Sequence, residues 1–503
     1  MTQPSQEQYF NTDSLSANLQ QKSLHSGLIT FAAQPLKLFL GIASTAILAR
    51  LLTPGDFGLL AMIAPVFLLV DSLSNFGLET AVVQKDSLNQ RQASAIFWRS
   101  LKINTILIAT TILLAPVVAW FYHEPRLMAI TIGLSVGAFS ACIAFQHKSL
   151  LKRQMRFGTL TLIELVSLLL STIAAITAAL IGWSYWALVI QLVVMQLTES
   201  IAQWWICNWR PSKYVKDNSL NLELSSTMSY GKHLTGFRFL TRIGMHLDRI
   251  LIGYVSGASA LGLYQVAYKW AYFPFEQVYF PLFDVAVSSL SRVQHDFELY
   301  RSYSRLGLMP IFAFCMPALA FCFVESHNVI LLLLGEQWLE AVPLFRLLAV
   351  AVYVVSMYRV TKWLYVSSGQ TQRQFRWALI HTPIMICAVV IGAKWGAYGV
   401  AMGYMLAICL LTIPSVHYCL KFSPLGWKDF LGSVWRPLAA SILSAACLYF
   451  GKDLLSSDRL LIEFVLRFIS YGIIYIVFWL SLPGGWRSTI KTIKGIKKMG
   501  IAQ

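Results

Sequence analysis

The sequence predicts an all-α integral membrane protein with about 14 transmembrane helices. The first reason is composition: of 503 residues, 57% are hydrophobic and only 13% are charged, whereas soluble domains carry roughly one quarter charged residues. The second is the length of the apolar runs, which reach the ~20 residues that a helix needs to cross a ~30 Å hydrocarbon core. These runs lack the strict alternation of barrel strands. Because lipid offers the backbone no hydrogen-bond partners, such runs must be helical.

The spanning-length rule divides the chain into a regular series of apolar segments. The long proline-interrupted spans and the C-terminal pair leave 12 helices as an alternative. The predicted segments cover about 24–50, 55–80, 97–121, 126–146, 158–181, 185–208, 234–254, 260–290, 304–324, 342–367, 375–393, 396–420, 432–450 and 460–482.

One turn pattern occurs twice. Residues 47–59 join two apolar runs through the sequence TPGDFG, and residues 251–263 repeat the plan with SGASALG. Gly58 aligns with Gly262, an offset of 204 residues. Such internal duplication is typical of transporters, in which two similar halves surround a central site.

Six predicted helices separate the two turns, so the repeats have the same orientation and are related by an axis along the membrane normal. The sequence therefore predicts two six-helix lobes, at 24–210 and 230–420, followed by an extra helix pair at 432–482. Residues 1–23 are polar and predict a disordered cytoplasmic tail. Residues 483–503 predict a basic amphipathic segment on the inner leaflet.

The net charge of +17 comes from Lys and Arg residues that fall in alternate loops. This asymmetry predicts that those loops, and both termini, are cytoplasmic. It argues against nucleic acid as a partner, since membrane topology already explains the charge. The eight cysteines show no CxxC or zinc-ligand spacing. No phosphate-binding loop is present around Gly231-Lys232 or Gly451-Lys452, which argues against an ATPase.

Ionisable residues inside apolar spans are costly and usually face a cavity or a partner. Lys37 and Asp71 lie within the first two spans and form a candidate pair, which would be either structural or functional. Lys269 is about nine residues from the second turn, hence ~13 Å deep at helical rise. Glu276 follows it on the same face, and Asp248 offers a second candidate partner.

Several stretches together resemble the Wzx-type polysaccharide flippases, in particular the colanic acid exporter branch of the multidrug/oligosaccharidyl-lipid/polysaccharide exporter superfamily. The resemblance covers most of the chain. It is carried by residues 49–58 (ARLLTPGDFG), 75–78 (NFGL), 247–253 (LDRILIG), 261–264 (LGLY) and 334–338 (LGEQW).

The resemblance implies a bacterial inner-membrane transporter, not an enzyme, that works by alternating access between two lobes. Its substrate would be an undecaprenyl-diphosphate-linked oligosaccharide, moved from the cytoplasmic to the periplasmic leaflet for surface polysaccharide biosynthesis. Membrane lipids and other polysaccharide-assembly membrane proteins would be its partners. The sequence departs from the general pattern near Arg359 and Lys362, so the identity of the glycan does not carry over.

A lipid diphosphate is a compact anion, and arginine suits bidentate phosphate contact. The sequence therefore predicts a cationic substrate cavity lined by Lys37, Arg242, Lys269, Arg359 and Lys362. Carboxylates within the spans are candidates for ion coupling or for internal pairing. These are Asp71, Glu164, Asp248 and Glu276.

Two alternatives remain open from the sequence. A multidrug-type exporter of the same superfamily would share the fold, but the cationic inner helices favour an anionic substrate. An integral-membrane polymerase or glycosyltransferase would need acid–base or metal-binding carboxylates at a membrane face, and the short external loops offer no paired-carboxylate motif. No cofactor is expected. Transport would be driven by an ion gradient, with protons and sodium as the candidate ions, by the membrane potential, or by consumption of the product.

Overall fold

A computed structural model of the chain describes residue 10, residues 19–74, residue 82, and residues 88–213 and 246–486. Its regular structure is helical, as predicted. The helices are α1 (Leu19–Leu51), α2 (Pro54–Ser74), α3 (Gln90–Tyr122), α4 (Arg126–Arg153), α5 (Phe157–Leu180), α6 (Trp186–Ile206), α7 (Leu247–Arg292), α8 (Phe297–Val324), α9 (Ser326–Leu334), α10 (Val342–Arg359), α11 (Thr361–Ser367), α12 (Thr371–Gly392), α13 (Gly396–Leu420), α14 (Trp427–Gly451) and α15 (Leu460–Ser481).

Within these described ranges, 11 helical segments are long and apolar enough to cross a membrane, and the shorter Pro54–Val70 is apolar too. One of the 11, Thr371–Leu420, combines α12 and α13. The all-α membrane class is confirmed. The predicted count of 14 is not, because most of the predicted span 234–254 falls outside the described residues.

The predicted tail 1–23 lies mostly outside the described residues, but two observations bear on it. Helix α1 begins at Leu19, earlier than the predicted position 24. Phe10 is 8% exposed and belongs to a hydrophobic cluster with Val82, Phe97, Leu151 and Trp209. Burial of an aromatic ring removes a large apolar area from water, so this part of the predicted tail is anchored.

The chain divides into two compact units, Met1–Gly262 and Leu263–Gln503. The boundary lies after the start of the predicted second lobe at 230. Residues 247–262 pack within the first unit: the ring of Tyr254 stacks on Phe121 with centroids 5.0 Å apart. Gly253 also lies so close to Tyr122 that a Cβ atom there would be 2.9 Å from that ring.

The first turn is stabilised by a capping box at the start of α2. The Asp56 carboxylate accepts hydrogen bonds from the backbone N–H of Thr53 at 2.9 Å and from its hydroxyl at 2.7 Å. It also accepts one from the Ser184 hydroxyl in the connection between α5 and α6. Asp56 is 5% exposed, so this buried carboxylate satisfies helix-terminal N–H groups and fixes a second loop.

The second turn is a break inside α7, where Gly257 has φ 78° and ψ −175°. Only glycine adopts this conformation at low cost. The two turns contact each other within the first unit: a Cβ atom on Gly58 would lie 1.7 Å from the Ala258 carbonyl oxygen, and one on Gly262 would lie 1.8 Å from that of Pro54. The contact is reciprocal under the offset of 204 residues, which relates Pro54 to Ala258 and Gly58 to Gly262.

In the second unit, ion pairs to the buried carboxylates Glu325 and Asp429 attach the C-terminal helices α14 and α15 to α8. Near one end of α15, Arg467 donates to the Glu325 carboxylate at 3.3 Å and pairs with Glu463 at 2.5 Å. Near the start of α8, Arg301 donates to Asp429 of α14 at 3.0 Å. Removing one partner of such a pair leaves a buried charge unpaired, so the predicted extra pair is an integral part of the second unit.

A candidate anion site in the second unit

Arg359 lies at a break between two helices. Helix α10 ends at this residue, and the seven-residue helix α11 begins two residues later, at Thr361. The Trp363 N–H donates to the Val360 carbonyl at 3.0 Å, so the Arg359 carbonyl is free to accept the Tyr279 hydroxyl at 3.1 Å. A cation at a helix C-terminus is favoured by the helix dipole.

Several phenol groups lie within electrostatic range of the Arg359 guanidinium. It interacts electrostatically with four tyrosines from two other helices. We call these four residues the phenol cradle: Tyr268, Tyr272 and Tyr279 of α7, and Tyr404 of α13.

Lys362 adds a second positive charge close to Arg359, and the two cations interact electrostatically. Its ammonium nitrogen lies 5.2 Å from the centroid of the Phe283 ring, a cation–π contact. The Lys362 side chain is exposed. Among the residues that the structure describes, no carboxylate forms an ion pair with Arg359 or Lys362. The site is therefore cationic and uncompensated within that part of the chain.

Lys269 belongs to the same unit and the same helix as three members of the cradle. Its side chain is accessible although surrounding protein atoms desolvate the ammonium group. The ammonium nitrogen is 5.9 Å from the Trp270 ring centroid. Glu276 follows seven residues later and is also exposed. The pairing of Lys269 with Glu276 or Asp248 stays a prediction.

Lys37 lies in the first unit, on α1. Its ammonium group forms an ion pair with Glu164 of α5, so this cation is at least partly neutralised inside the first unit. Glu199 of α6 interacts electrostatically with both residues and with Lys148. The ion pair joins α1 to α5, and Glu199 places a second carboxylate within electrostatic range of it. The structure does not describe the side chain of Asp71, the candidate partner predicted from the sequence.

Two further predicted residues are Arg242 and Asp248. Arg242 lies outside the described residues. Asp248 accepts a hydrogen bond from the backbone N–H of Arg249 at 2.8 Å near the start of α7. Most aromatic side chains of α7, α10 and α11 are core residues: Tyr264, Tyr272, Tyr279 and Trp363 are each at most 2% exposed. They pack between helices.

Comparison of the sequence with protein-family models identifies the family of this chain. Residues 47–343, more than half of the chain, match the family described as polysaccharide biosynthesis protein. The chain belongs to this family. The matched region includes both turns, the cradle residues of α7 and the start of α10. The resemblance found from the sequence stretches is confirmed.

Two relatives of this chain align with it over most of its length. It is 24% identical to the lipopolysaccharide biosynthesis protein WzxC of Escherichia coli over 84% of this chain and 86% of WzxC. It is 25% identical to the succinoglycan biosynthesis transport protein ExoT of Rhizobium meliloti, over 82% and 83% of the two chains. These proteins are named for polysaccharide biosynthesis or transport.

Solved structures identify the fold of this family member. The lipid II flippase MurJ, in an inward closed conformation, superimposes with a TM-score of 0.68 at 15% identity, over 91% of this chain and 98% of MurJ. An inward-facing multidrug resistance transporter of the MATE family, in the MOP superfamily, gives 0.59 at 12% identity, over 76% and 94% of the two chains. The polytopic transporter fold predicted from the repeat is thus confirmed.

Two residues of this arrangement escaped the sequence reasoning. Tyr404 contacts the Arg359 site across 45 residues of sequence, and a tyrosine within an apolar span gives no signal by itself. Glu199 lies seven residues before the end of α6, where a charge is expected to reach the membrane surface. Its proximity to Glu164 and Lys37 depends on helix packing, which the local sequence does not encode.

Proposed function

We propose that the protein is a flippase that moves undecaprenyl-diphosphate-linked oligosaccharide from the cytoplasmic to the periplasmic leaflet of a bacterial inner membrane. The observation that carries the proposal is the cationic site at Arg359 and Lys362, which has no carboxylate partner among the described residues, within a chain of the polysaccharide biosynthesis family. Family membership identifies the class of pathway. The charge identifies the part of the substrate that the protein would bind.

The diphosphate is the part of this substrate that needs help to cross the membrane interior. Its charge is strongly disfavoured in a medium of low dielectric constant. Arginine offers a planar fork of donors that matches phosphate oxygens, and lysine adds a compact charge. We propose that Arg359 and Lys362 bind the diphosphate while Lys269 contributes a further cation on α7.

The first unit supports a different role. Because Lys37 is engaged by Glu164, we propose that it is not a substrate ligand in this state. The Glu164–Lys37–Glu199 group carries two acids and one base, so it is a candidate for proton or sodium coupling, as Asp71 is. In this proposal both termini are cytoplasmic, which agrees with the basic residues of the alternate loops.

Of the alternatives, a small-molecule exporter shares the fold, and a polymerase shares the substrate. Uncompensated cations favour an anionic substrate over the organic cations typical of multidrug export. Among the described residues, no group of three or more His, Cys, Asp and Glu side chains is arranged to hold a metal ion, so nothing there favours a metal-dependent transferase.

Reconstitution tests the proposal. The purified protein is incorporated into liposomes that carry a fluorescent undecaprenyl-diphosphate-linked oligosaccharide, and a proton or sodium gradient is imposed. The proposal expects protein-dependent translocation that is abolished in an Arg359→Gln, Lys362→Gln variant. Translocation of a cationic drug-like dye but not of the lipid would favour the multidrug alternative, and chain elongation of the oligosaccharide would favour the polymerase.

A further inference from the structure

We propose that one end of the α12–α13 helix pair binds the headgroup of an anionic phospholipid, whose acyl chains lie along α12. The inference goes beyond the proposed function and does not rest on it, since this ligand is a lipid of the surrounding bilayer and is not transported. We call the headgroup-binding surface the rim site. It consists of Arg373, Arg376, Lys421 and Phe422, all in the second unit.

An aromatic ring holds the first cation of the rim site in place. The guanidinium carbon of Arg373 lies 3.7 Å from the centroid of the Phe422 ring, a cation–π contact. Arg373 also donates to the side-chain oxygen of Gln370 at 3.3 Å, and the Gln370 side-chain amide donates to the Phe422 carbonyl at 2.7 Å. The α11–α12 connection is therefore joined to the end of α13, and the Arg373 side chain is preorganised.

Further positive charge lies around the same ring. The Lys421 ammonium nitrogen is 5.7 Å from the Phe422 centroid. Arg376 follows Arg373 by three residues, on the same side of α12, and both Lys421 and Arg376 are exposed. Arg373 lies in the first turn of α12, where the helix dipole disfavours a cation. Since nearby like charges repel, an anion bound among them is stabilised.

The chain supplies no acidic partner for these cations. No Asp or Glu occurs between Glu340 and Asp429. Asp429 itself accepts hydrogen bonds from two arginines of α8, Arg301 at 3.0 Å and Arg305. Across the part of the chain that the structure describes, no carboxylate forms an ion pair with a cation of the rim site. An anion from outside the protein would therefore complete the site.

Three aromatic rings continue the site along the two helices. The Phe422 ring meets the Tyr418 ring edge-on, with centroids 5.5 Å apart, and Tyr418 stacks on Trp377 at 5.3 Å. The Trp377 indole N–H donates to the Ser415 hydroxyl at 2.9 Å. All three rings are half-buried. Because tyrosine and tryptophan concentrate where a membrane meets water, the rings mark the depth of the lipid headgroups.

Aliphatic side chains follow the rings on α12. Ile380 lies seven residues after Arg373, and Ile384 lies seven after Trp377, so these residues share one face of the helix. The two isoleucines are 54% and 43% exposed. From Arg373 to Ile384 the helix rises roughly 16 Å, about half of a ~30 Å hydrocarbon core. The order of cation, aromatic ring and aliphatic chain matches a phospholipid, whereas a free phosphate would need only the cations.

The position of the rim site separates its ligand from a transported lipid. Arg373 lies in the first turn of α12 and Lys421 directly follows the last residue of α13. Both cations are thus at one end of a helix pair that is long and apolar enough to span the membrane. A lipid held there stays in one leaflet, whereas a transported lipid must leave it. We therefore assign the site to a resident phospholipid with a net negative headgroup.

The test measures phospholipid binding to the full-length protein in detergent by native mass spectrometry. Phosphatidylglycerol is the probe, and phosphatidylcholine with the same acyl chains is the neutral comparator. We expect the wild-type protein to bind phosphatidylglycerol at least about tenfold more tightly than phosphatidylcholine. Arg373→Gln and Lys421→Gln should each weaken phosphatidylglycerol binding by about three- to tenfold and leave phosphatidylcholine binding unchanged.

Lys394→Gln is the matched control. It removes one positive charge from an exposed lysine at the opposite end of the same helix pair, and phosphatidylglycerol affinity should stay within about twofold of wild type. Phe422→Leu keeps every charge but removes the ring beneath Arg373, so it should weaken binding by about two- to threefold. If Arg373→Gln does not fold, Lys421→Gln carries the test, since that side chain is exposed.

Equal wild-type affinities for the two phospholipids, or an equal loss of phosphatidylglycerol binding in Lys394→Gln and Lys421→Gln, would overturn the inference. Both outcomes leave the proposed function intact, because translocation is measured separately. Displacement of phosphatidylglycerol by an equimolar amount of farnesyl diphosphate would also overturn it and assign the cations to the substrate. Displacement by equimolar inorganic phosphate would overturn it too, because the acyl chains would then contribute nothing.

Discussion

A Cβ atom on Gly262 would lie 1.8 Å from the carbonyl oxygen of Pro54, so the two turns of the repeat meet backbone to backbone. We predict that Gly58→Ala and Gly262→Ala each destabilise the protein by about 1–3 kcal/mol, because the obstructing atoms belong to the backbone and cannot rotate away. The measurement is thermal unfolding in detergent. Gly41→Ala is the control, since a Cβ atom there would meet nothing within 4 Å.

The reciprocal geometry also predicts the stability of the variant in which both glycines are replaced. Once one methyl group has separated the turns, the second should cost little, so Gly58→Ala, Gly262→Ala should lose less stability than the sum of the single variants. Fully additive losses would mean that the two glycines serve independent contacts, contrary to the geometry.

The capping carboxylate Asp56 provides the next prediction. Asp56→Ala should lower stability by about 1–2 kcal/mol, because the Thr53 N–H loses its partner and the α5–α6 connection loses the Ser184 contact. Ser184→Ala removes only the second of these contacts and should cost less. Equal losses in the two variants, again by thermal unfolding, would show that the capping interaction contributes nothing.

The pair of Lys37 and Glu164 allows a structural role to be separated from a functional one. Lys37→Met and Glu164→Gln should each reduce the amount of folded protein, because each leaves an opposite charge within the membrane without its partner. The combination Lys37→Met, Glu164→Gln should restore folding. Export by the folded double variant then discriminates: near-normal export indicates a packing role, and lost export indicates ion coupling.

A pH dependence is expected from Glu124, which lies in the connection between α3 and α4. The hydrogen bond from Arg126, with Nε to Oε1 at 2.7 Å, lowers the pKa of this carboxyl below its usual range, against the opposing effect of burial. A lowered pKa stabilises the folded state above the ordinary Glu pKa and loses that contribution as pH falls through the folded-state value.

Wild-type protein should therefore lose up to about 1 kcal/mol more stability than Glu124→Gln when the pH is lowered from about 6 to about 3.5. Parallel pH profiles of the unfolding temperature for the two proteins would show that the Arg126 contact has no energetic weight. High salt should reduce the difference, since the Arg126 side chain is half exposed.

The sequence predicted features that depend on composition and local pattern. Helix class, the two turns and the cations Arg359 and Lys362 follow from hydropathy and from charges inside apolar runs. Features that depend on which helices pack together could not be predicted. Depth along neighbouring helices made Asp71 a candidate partner of Lys37, whereas the ion pair that the structure describes is with Glu164, which is 127 residues away. Tyr404 and Glu199 were missed for the same reason.

The sidedness of the lipid-linked oligosaccharide in cells tests the central claim most directly. In a deletion strain without a redundant flippase, a membrane-impermeant glycosidase added to spheroplasts should find the lipid-linked intermediate protected on the cytoplasmic leaflet. Expression of the wild-type gene should make it accessible, and expression of Arg359→Gln, Lys362→Gln at the same protein level should not. Full accessibility of the intermediate in the deletion strain would contradict the account.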